Sequence, residues 1–395
     1  MKKPELLAPA GDLEKLKIAV LYGADAVFVG SKEFSLRSRA SNFTIEDLYQ
    51  GAKFCHEHGA KLYVTTNIVP HNSDLIGLID YLEDLENAGV DAIICSSYAV
   101  MYIAKRYTNL EVHISTQQSV TNSLGVKFYE DFGATRVVLA RELTIKEIEE
   151  IKKNTNVELE VFIHGGMCSS YSGRCMLSNH MTNRDANRGG CAHSCRWNYD
   201  LFMGDMRITD DERFQFSSKD LMAVNQIERL FECADSFKIE GRMKSIHYIA
   251  TVTKVYRMLI DEYYETGSIK DLEYYKKEIQ KAENRLFSHG FLEGMTTVNE
   301  QLYNMRSENP TQDFVGIIMD YDSETSTATV EVRNHFKPYS ILEAFGPNLK
   351  STQFEITTII NSEGLEVDAA RHPKEIVKIQ SPIKLSKYDM IRLVR

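Results

Sequence analysis

Four of the chain's seven cysteines fall in one stretch, GGMCSSYSGRCMLSNHMTNRDANRGGCAHSCRWNY, spaced Cys168-x6-Cys175-x15-Cys191-x3-Cys195. Reduced thiols at such density can hold zinc or an iron–sulfur cluster. Structural zinc sites favour tight CxxC knuckles, which are absent here, so the open, uneven spacing suits a cluster wrapped by a long loop somewhat better. An unmetallated loop stays open as an alternative. So does a cysteine nucleophile with His164, His180 or His193 as its base. The same stretch is locally basic, with Arg174, Arg184, Arg188 and Arg196 against Asp185. Arginine forks match phosphate oxygens, so these four are candidate phosphate contacts, with plain surface charge as the alternative. Cys55, Cys95 and Cys233 lie in helix or strand patterns and read as buried small hydrophobes.

The elements that must position this loop are legible as short apolar runs. Glu5–Ala8, Ala26–Val29, Lys61–Thr65, Ala92–Cys95, Val112–Ser115, Arg136–Leu139, Leu159–Ile163 and Ser236–Ile239 read as eight strands. Most are separated by one amphipathic helix, such as DLEKLKIAVLY or TIKEIEEIKK. Gly23, Gly89 and Gly133 each stop a helix just before the next strand. Alternating strand and helix implies parallel strands with helical crossovers. Eight units in about 250 residues match a TIM-type (β/α)8 barrel, with the cysteine-rich insertion, 165–235, between strands seven and eight. An open doubly wound sheet uses the same units and is the alternative, but no glycine-rich dinucleotide fingerprint follows the first strand. Residues 1–308 form this domain, with Gly241–Glu308 helical. From 312 to 395 the pattern changes to short β-runs, expected to form a small antiparallel β-barrel beside the mouth of the main one.

In such a barrel the active site lies at the C-terminal strand ends. Those ends carry Thr66-Asn67, Ser115-Thr116-Gln117-Gln118, Arg141-Glu142, His164 and Glu240-Gly241-Arg242. His164, Gln117 and Glu240 are the candidate catalytic groups.

Composition bounds the partners. The chain has 395 residues and a formal net charge of −10, which argues against broad binding to nucleic acid but permits a local basic site. The start, MKKPELLAPAGDLEKL, has no apolar core of signal-peptide length. No run approaches the roughly 20 apolar residues of a membrane span, so a cytoplasmic address without membrane contact is expected.

EVFIHGGMCSSYSGRCMLS (Glu160–Ser178) resembles the signature of the collagenase-like peptidase family U32. LLAPAGDLEKLKIAV, GADAVFVG, STQQSVTN, RVVLAREL, NRDANRGGCAHSCRWNY, SSKDL and FKIEGRMKS extend the resemblance over nearly the whole chain, most closely to the tRNA 5-hydroxyuridine hydroxylation branch. The resemblance implies an oxygen-independent hydroxylase that converts the wobble uridine of tRNA to 5-hydroxyuridine. It implies a 4Fe-4S cluster on Cys168, Cys175, Cys191 and Cys195, and prephenate as co-substrate. Arg141, Lys238 and Arg242 are the candidate partners for its carboxylates. The implied partner is the anticodon loop of tRNA, with a second family member as a further one. Asn183 stands where a glycine is common in the family, and His193-Ser194 where Gln-Pro is common. The alternatives are a peptidase, as the family name says, and a zinc-stabilised RNA-binding protein without catalysis. No HExxH or GxSxG motif supports the peptidase.

Overall fold

The computed structural model describes residues 2–31, 42–209, 214–282, 285–302 and 311–395. Seven strands alternate with helices through the first part of the chain. The strands are β1 (Glu5–Pro9), β2 (Ala26–Gly30), β3 (Lys61–Thr66), β4 (Ala92–Cys95), β5 (Glu111–Ile114), β6 (Arg136–Val138) and β7 (Glu158–Gly165). Between them run α1 (Leu13–Leu21), α2 (Ile45–Glu57), α3 (Leu78–Asn87), α4 (Tyr98–Tyr107), α5 (Ser123–Asp131) and α6 (Ile145–Lys153). Local chemistry sets the helix ends. Thr44 and Thr144 form capping boxes with Asp47 and Glu147, each satisfying backbone N–H groups that a helix start leaves open. Gly23, Gly89 and Gly133 follow helix ends at φ of 106°, 83° and 90°, the left-handed stop expected from the sequence.

The insertion then supplies α7 (Leu177–Thr182), a hairpin of β8 (Phe202–Met203) and β9 (Met206–Arg207), the short strand β10 (Asp220–Met222) and α8 (Ile227–Leu230). β11 (Ser236–Ile239) follows and pairs in parallel with both β7 and β1, which closes an eight-stranded parallel barrel. β10 runs antiparallel to the end of β7 and carries β12 (Phe287–Ser288) on its other side. Among the described residues, the stretch expected to be helical up to residue 308 is α-helical in α9 (Ile246–Thr266) and α10 (Leu272–Gln280), with a 3-10 turn at Val298–Glu300. Beyond α10, Phe287 and Ser288 extend the sheet of the insertion. The boundary expected at Glu308 lies outside the described residues.

The barrel interior is charged where the strand runs read as apolar. Arg136, Glu160 and Lys238 all point inward and are buried. Arg136 binds Glu5 and Glu158, with Nη2 to Glu158 at 2.7 Å, and reaches Glu160 at 3.2 Å. Lys238 Nζ donates to Glu160 at 2.6 Å. Burial pushes the Glu160 carboxyl up, but Lys238 and Arg136 outweigh it and hold it below the ordinary carboxylate range.

The terminal domain is an antiparallel sheet of β13 (Gln312–Asp322), β14 (Thr327–Val332), β15 (Ile341–Phe345), β16 (Thr352–Glu355), β17 (Ile359–Ile360), β18 (Glu366–Val367), β19 (Ile376–Gln380) and β20 (Met390–Val394). Its order, β16-β15-β20-β13-β14-β19-β17-β18, leaves the two end strands unpaired with each other, so it curves as a half-barrel. It seats Ile317, Phe345 and Met390 on Ile18 and Tyr22 of α1 and on Ile246 and Ala250 of α9. The buried Arg392 locks this contact, donating to Glu343 at 3.0 Å, Thr251 at 2.9 Å and His247 at 2.8 Å. The sheet thus covers the helical flank and adds no residue to the cavity at the barrel mouth.

Candidate functional site

A cavity of about 230 Å3 opens at the C-terminal ends of the barrel strands, between the rim and the insertion. Its floor is apolar, with Phe28, Ile94, Val138 and Phe162 contributed by β2, β4, β6 and β7. Three cations stand around that floor. The Arg141 guanidinium lies 3.7 Å over the Phe162 ring, donates to the Gly166 carbonyl and sits 4.0 Å from Glu240. Lys238 Nζ is 4.5 Å from the Phe28 ring centre. Arg242 donates to Thr65 Oγ1 at 3.1 Å. Opposite them, Asn67 Nδ2 donates to Gln117 Oε1 at 2.6 Å, and Gln117 Nε2 returns a bond to the Asn67 carbonyl at 3.0 Å. The two amides hold each other rigidly, so Gln117 is oriented before anything binds.

The insertion forms the roof. Two glycines let it lie this close. Gly165, at φ 105°, passes so near the Glu240 carbonyl that an added Cβ would sit 2.4 Å from its oxygen. At Gly173, φ 69°, a Cβ would come within 2.0 Å of the Gln117 carbonyl oxygen. Ser172 then ties the loop to the rim, its N–H and hydroxyl both donating to Glu142 at 2.9 Å. Asn183 has φ 54°, a left-handed conformation that asparagine tolerates better than most side chains.

Cys168, Cys175, Cys191 and Cys195 all line this cavity, and none is in a disulfide. Burial pushes the Cys195 thiol up, with Arg196 opposing and the neighbouring Cys168 and Cys191 adding to the rise. That mutual repulsion is what a bound cation would reverse. Among the described residues, no three cysteine, histidine, aspartate or glutamate side chains are gathered tightly enough to hold a single metal ion. A tetrahedral zinc would need sulfurs about 3.8 Å apart, from Zn–S bonds of about 2.3 Å. Four cysteine thiols lining one cavity are also the donor set that a 4Fe-4S cluster takes. The other three cysteines are buried elsewhere, and burial pushes the Cys55, Cys95 and Cys233 thiols up to about 12.

The other expected residues divide. Gln117 and Glu240 line the cavity with the three cations. His164 does not: it is buried on the other side of β7, packed among Tyr248, Tyr256 and Phe287, with Nδ1 3.3 Å from the Tyr256 hydroxyl. Burial, with Lys244 adding to it, pushes this imidazole down to about 3, so it is neutral at physiological pH. No histidine lines the cavity among the described residues. The arginines divide too. Arg174 is exposed, with Nε on Ser119 Oγ at 3.3 Å. Arg188 is committed to a bidentate pair with Asp74 at 2.7 and 2.8 Å. Arg184 and Arg196 are half-buried. Sequence reasoning missed Glu160, Phe162 and Ser172. Glu160 alone left a signal, as a carboxylate inside the apolar run LEVFI.

Comparison with known proteins accords with this architecture. The profile of Peptidase family U32 matches residues 11–302, and that of the Peptidase family U32 C-terminal domain matches residues 310–392. The chain is 48% identical over 400 residues to tRNA hydroxylation protein P1 of Bacillus subtilis (strain 168), covering 99% of this chain and 95% of that one. It is 33% identical to tRNA hydroxylation protein P of Escherichia coli (strain K12), over 92% and 90% of the two chains. A collagenase of Porphyromonas gingivalis (strain ATCC BAA-308 / W83) is 36% identical over 66% of each. Since barrel, insertion and terminal sheet all fall within these matches, the chain belongs to peptidase family U32.

Proposed function

We propose that this protein is an RNA hydroxylase that converts the wobble uridine of tRNA to 5-hydroxyuridine, with prephenate as co-substrate. The observation that carries the reading is the convergence of four free cysteines, three cations and a fixed amide pair on one cavity. It occurs in a chain that matches a tRNA hydroxylation protein over 99% of its length. Cys168, Cys175, Cys191 and Cys195 would hold a 4Fe-4S cluster, which when bound supplies the one-electron redox chemistry that no side chain here offers.

The chain's own groups do the rest. Arg141, Lys238 and Arg242 take the carboxylates of the small co-substrate, and the Phe28 and Phe162 faces accept its apolar ring. The base and the co-substrate must be held together at the redox site while water is kept out. The roof formed by Tyr171, Ser172 and Gly173 does that. An unpaired base enters from the open side, where Gln117 and Asn67 present amide donors and acceptors to its edge. A cysteine peptidase would need an imidazole beside its nucleophile, and among the described residues the cavity lining contains none.

The experiment is nucleoside mass spectrometry of tRNA from a strain lacking this gene. Loss of 5-hydroxyuridine, restored by the intact gene but not by a Cys191→Ser copy, is the expected result. Unchanged 5-hydroxyuridine in the deletion strain refutes the assignment, and iron and sulfide analysis of anaerobically purified protein tests the cluster separately.

A further inference from the structure

Three consecutive residues at the top of β5 join the cavity to an exposed aromatic patch outside it. Gln117 lines the cavity. Gln118 accepts a hydrogen bond from the Tyr129 hydroxyl at 2.7 Å and donates to the Ser96 carbonyl at the end of β4. Ser119 accepts from Arg174 Nε at 3.3 Å. Tyr129 in turn stacks with Tyr98, at 6.0 Å and 10° between planes, and Phe128 meets the Tyr98 edge at 5.9 Å and 90°. Tyr98 is the first residue of α4, so it stands at the same rim as the cavity. Yet Tyr98 is 55% exposed and Phe128 is 42% exposed. Rings held in fixed orientation by hydrogen bonds and edge contacts, but left open to solvent on one face, are costly unless something covers them.

We infer that Tyr98 and Phe128 form a stacking platform for an unpaired nucleotide adjoining the one in the cavity, with its phosphate on Arg174. The inference rests on the RNA reading above. Chemistry and spacing favour this occupant over a protein surface. Aromatic faces beside an exposed arginine are the two contacts that single-stranded RNA asks for, one for its bases and one for its backbone. Gln118, next to the cavity-lining Gln117, holds the Tyr129 hydroxyl at 2.7 Å, and the Tyr129 ring centre is 6.0 Å from that of Tyr98. The platform thus stands one side chain beyond the rim, where a neighbouring nucleotide can reach it. In a chain of net charge −10, a cation placed here also marks where a polyanion can approach.

The test is titration of the full-length protein with a fluorescein-labelled anticodon stem–loop RNA, read by anisotropy, beside a fully paired duplex of the same composition. Tyr98→Ala is expected to weaken stem–loop binding about tenfold or more, the order of one lost base–aromatic stack, while duplex binding stays unchanged. Tyr98→Phe, which keeps the ring and loses only the hydroxyl, is expected to bind as wild type. Equal stem–loop affinity for wild type and a Tyr98→Ala/Phe128→Ala variant overturns the platform and leaves the RNA reading standing. No binding by the wild type overturns both. Sedimentation that shows a wild-type dimer, abolished in the double variant, assigns the patch to a protein contact and overturns the platform.

Discussion

Replacing Glu160 by glutamine removes one charge from the barrel interior and keeps the volume. Its two partners do not suffer equally. Arg136 retains Glu5 and Glu158, the latter at 2.7 Å, so its charge stays compensated. Lys238 pairs with Glu160 at 2.6 Å and otherwise faces the rings of Phe28 and Phe162, at 4.5 and 5.5 Å. Stranding one member of a buried pair costs about 3–5 kcal/mol. Ring faces offset about 1–2 kcal/mol of that, which leaves about 3 kcal/mol. At an unfolding entropy of about 2.1 cal/mol/K per residue, a barrel of roughly 300 residues shifts by about 1.6 °C per kcal/mol, so the melting temperature of Glu160→Gln should fall by about 5 °C. The double variant Glu160→Gln/Lys238→Met strands no charge and should recover most of the loss. The pH dependence has a definite sign. Because Lys238 and Arg136 hold the Glu160 carboxyl below its unfolded value, its contribution is fully present above the ordinary carboxylate range. It is lost only as pH falls through the lower folded value. The gap between wild type and Glu160→Gln should therefore be constant from pH 7 to pH 5 and close in stronger acid. Thermal unfolding followed by circular dichroism measures both. A double variant no more stable than Glu160→Gln would show that charge pairing is not what holds this part of the barrel.

Arg141→Met should lower hydroxylation by roughly tenfold to a hundredfold, the scale of one lost charge-assisted hydrogen bond, with stem–loop affinity intact. Comparable losses of RNA binding would place Arg141 on the nucleic acid instead. Arg188→Ala should lower the melting temperature about as much as Asp74→Ala and leave the salt dependence of RNA binding unchanged, because its guanidinium is already paired. A flatter salt slope in Arg188→Ala would return it to the phosphate contacts. Gly173→Ala forces a Cβ to within 2.0 Å of the Gln117 carbonyl and should lift the insertion from the rim. Iron content should fall, with a shift in the fluorescence of Trp197, the chain's one tryptophan. Unchanged fluorescence and iron would mean the loop needs no such close approach.

Local information sufficed for the barrel, because each unit announces its own ends. The Thr144–Glu147 capping box starts α6, Gly133 stops α5, and eight apolar runs count the strands. The four cysteines were equally plain, since thiol density in a chain with few cysteines is a composition signal that needs no coordinates. Facing was decided otherwise. A strand buried on both sides shows no alternation that tells lumen from helix layer, so His164 and Glu160, both in β7, could not be assigned a side. Strict alternation would put these two, four residues apart, on one face. A bulge in the β7–β11 pairing, where Phe162 partners Lys238 but His164 partners Ile239, leaves Glu160 turned inward to Lys238 and Arg136 and turns His164 to Tyr256. Partner choice was likewise tertiary. Nothing near Arg188 in sequence foretells Asp74, which is 114 residues away, and the pair engages an arginine that composition had placed among the phosphate contacts. Periodicity reports what a residue does to its own element; only closure of the barrel brings together side chains that share no segment of the chain.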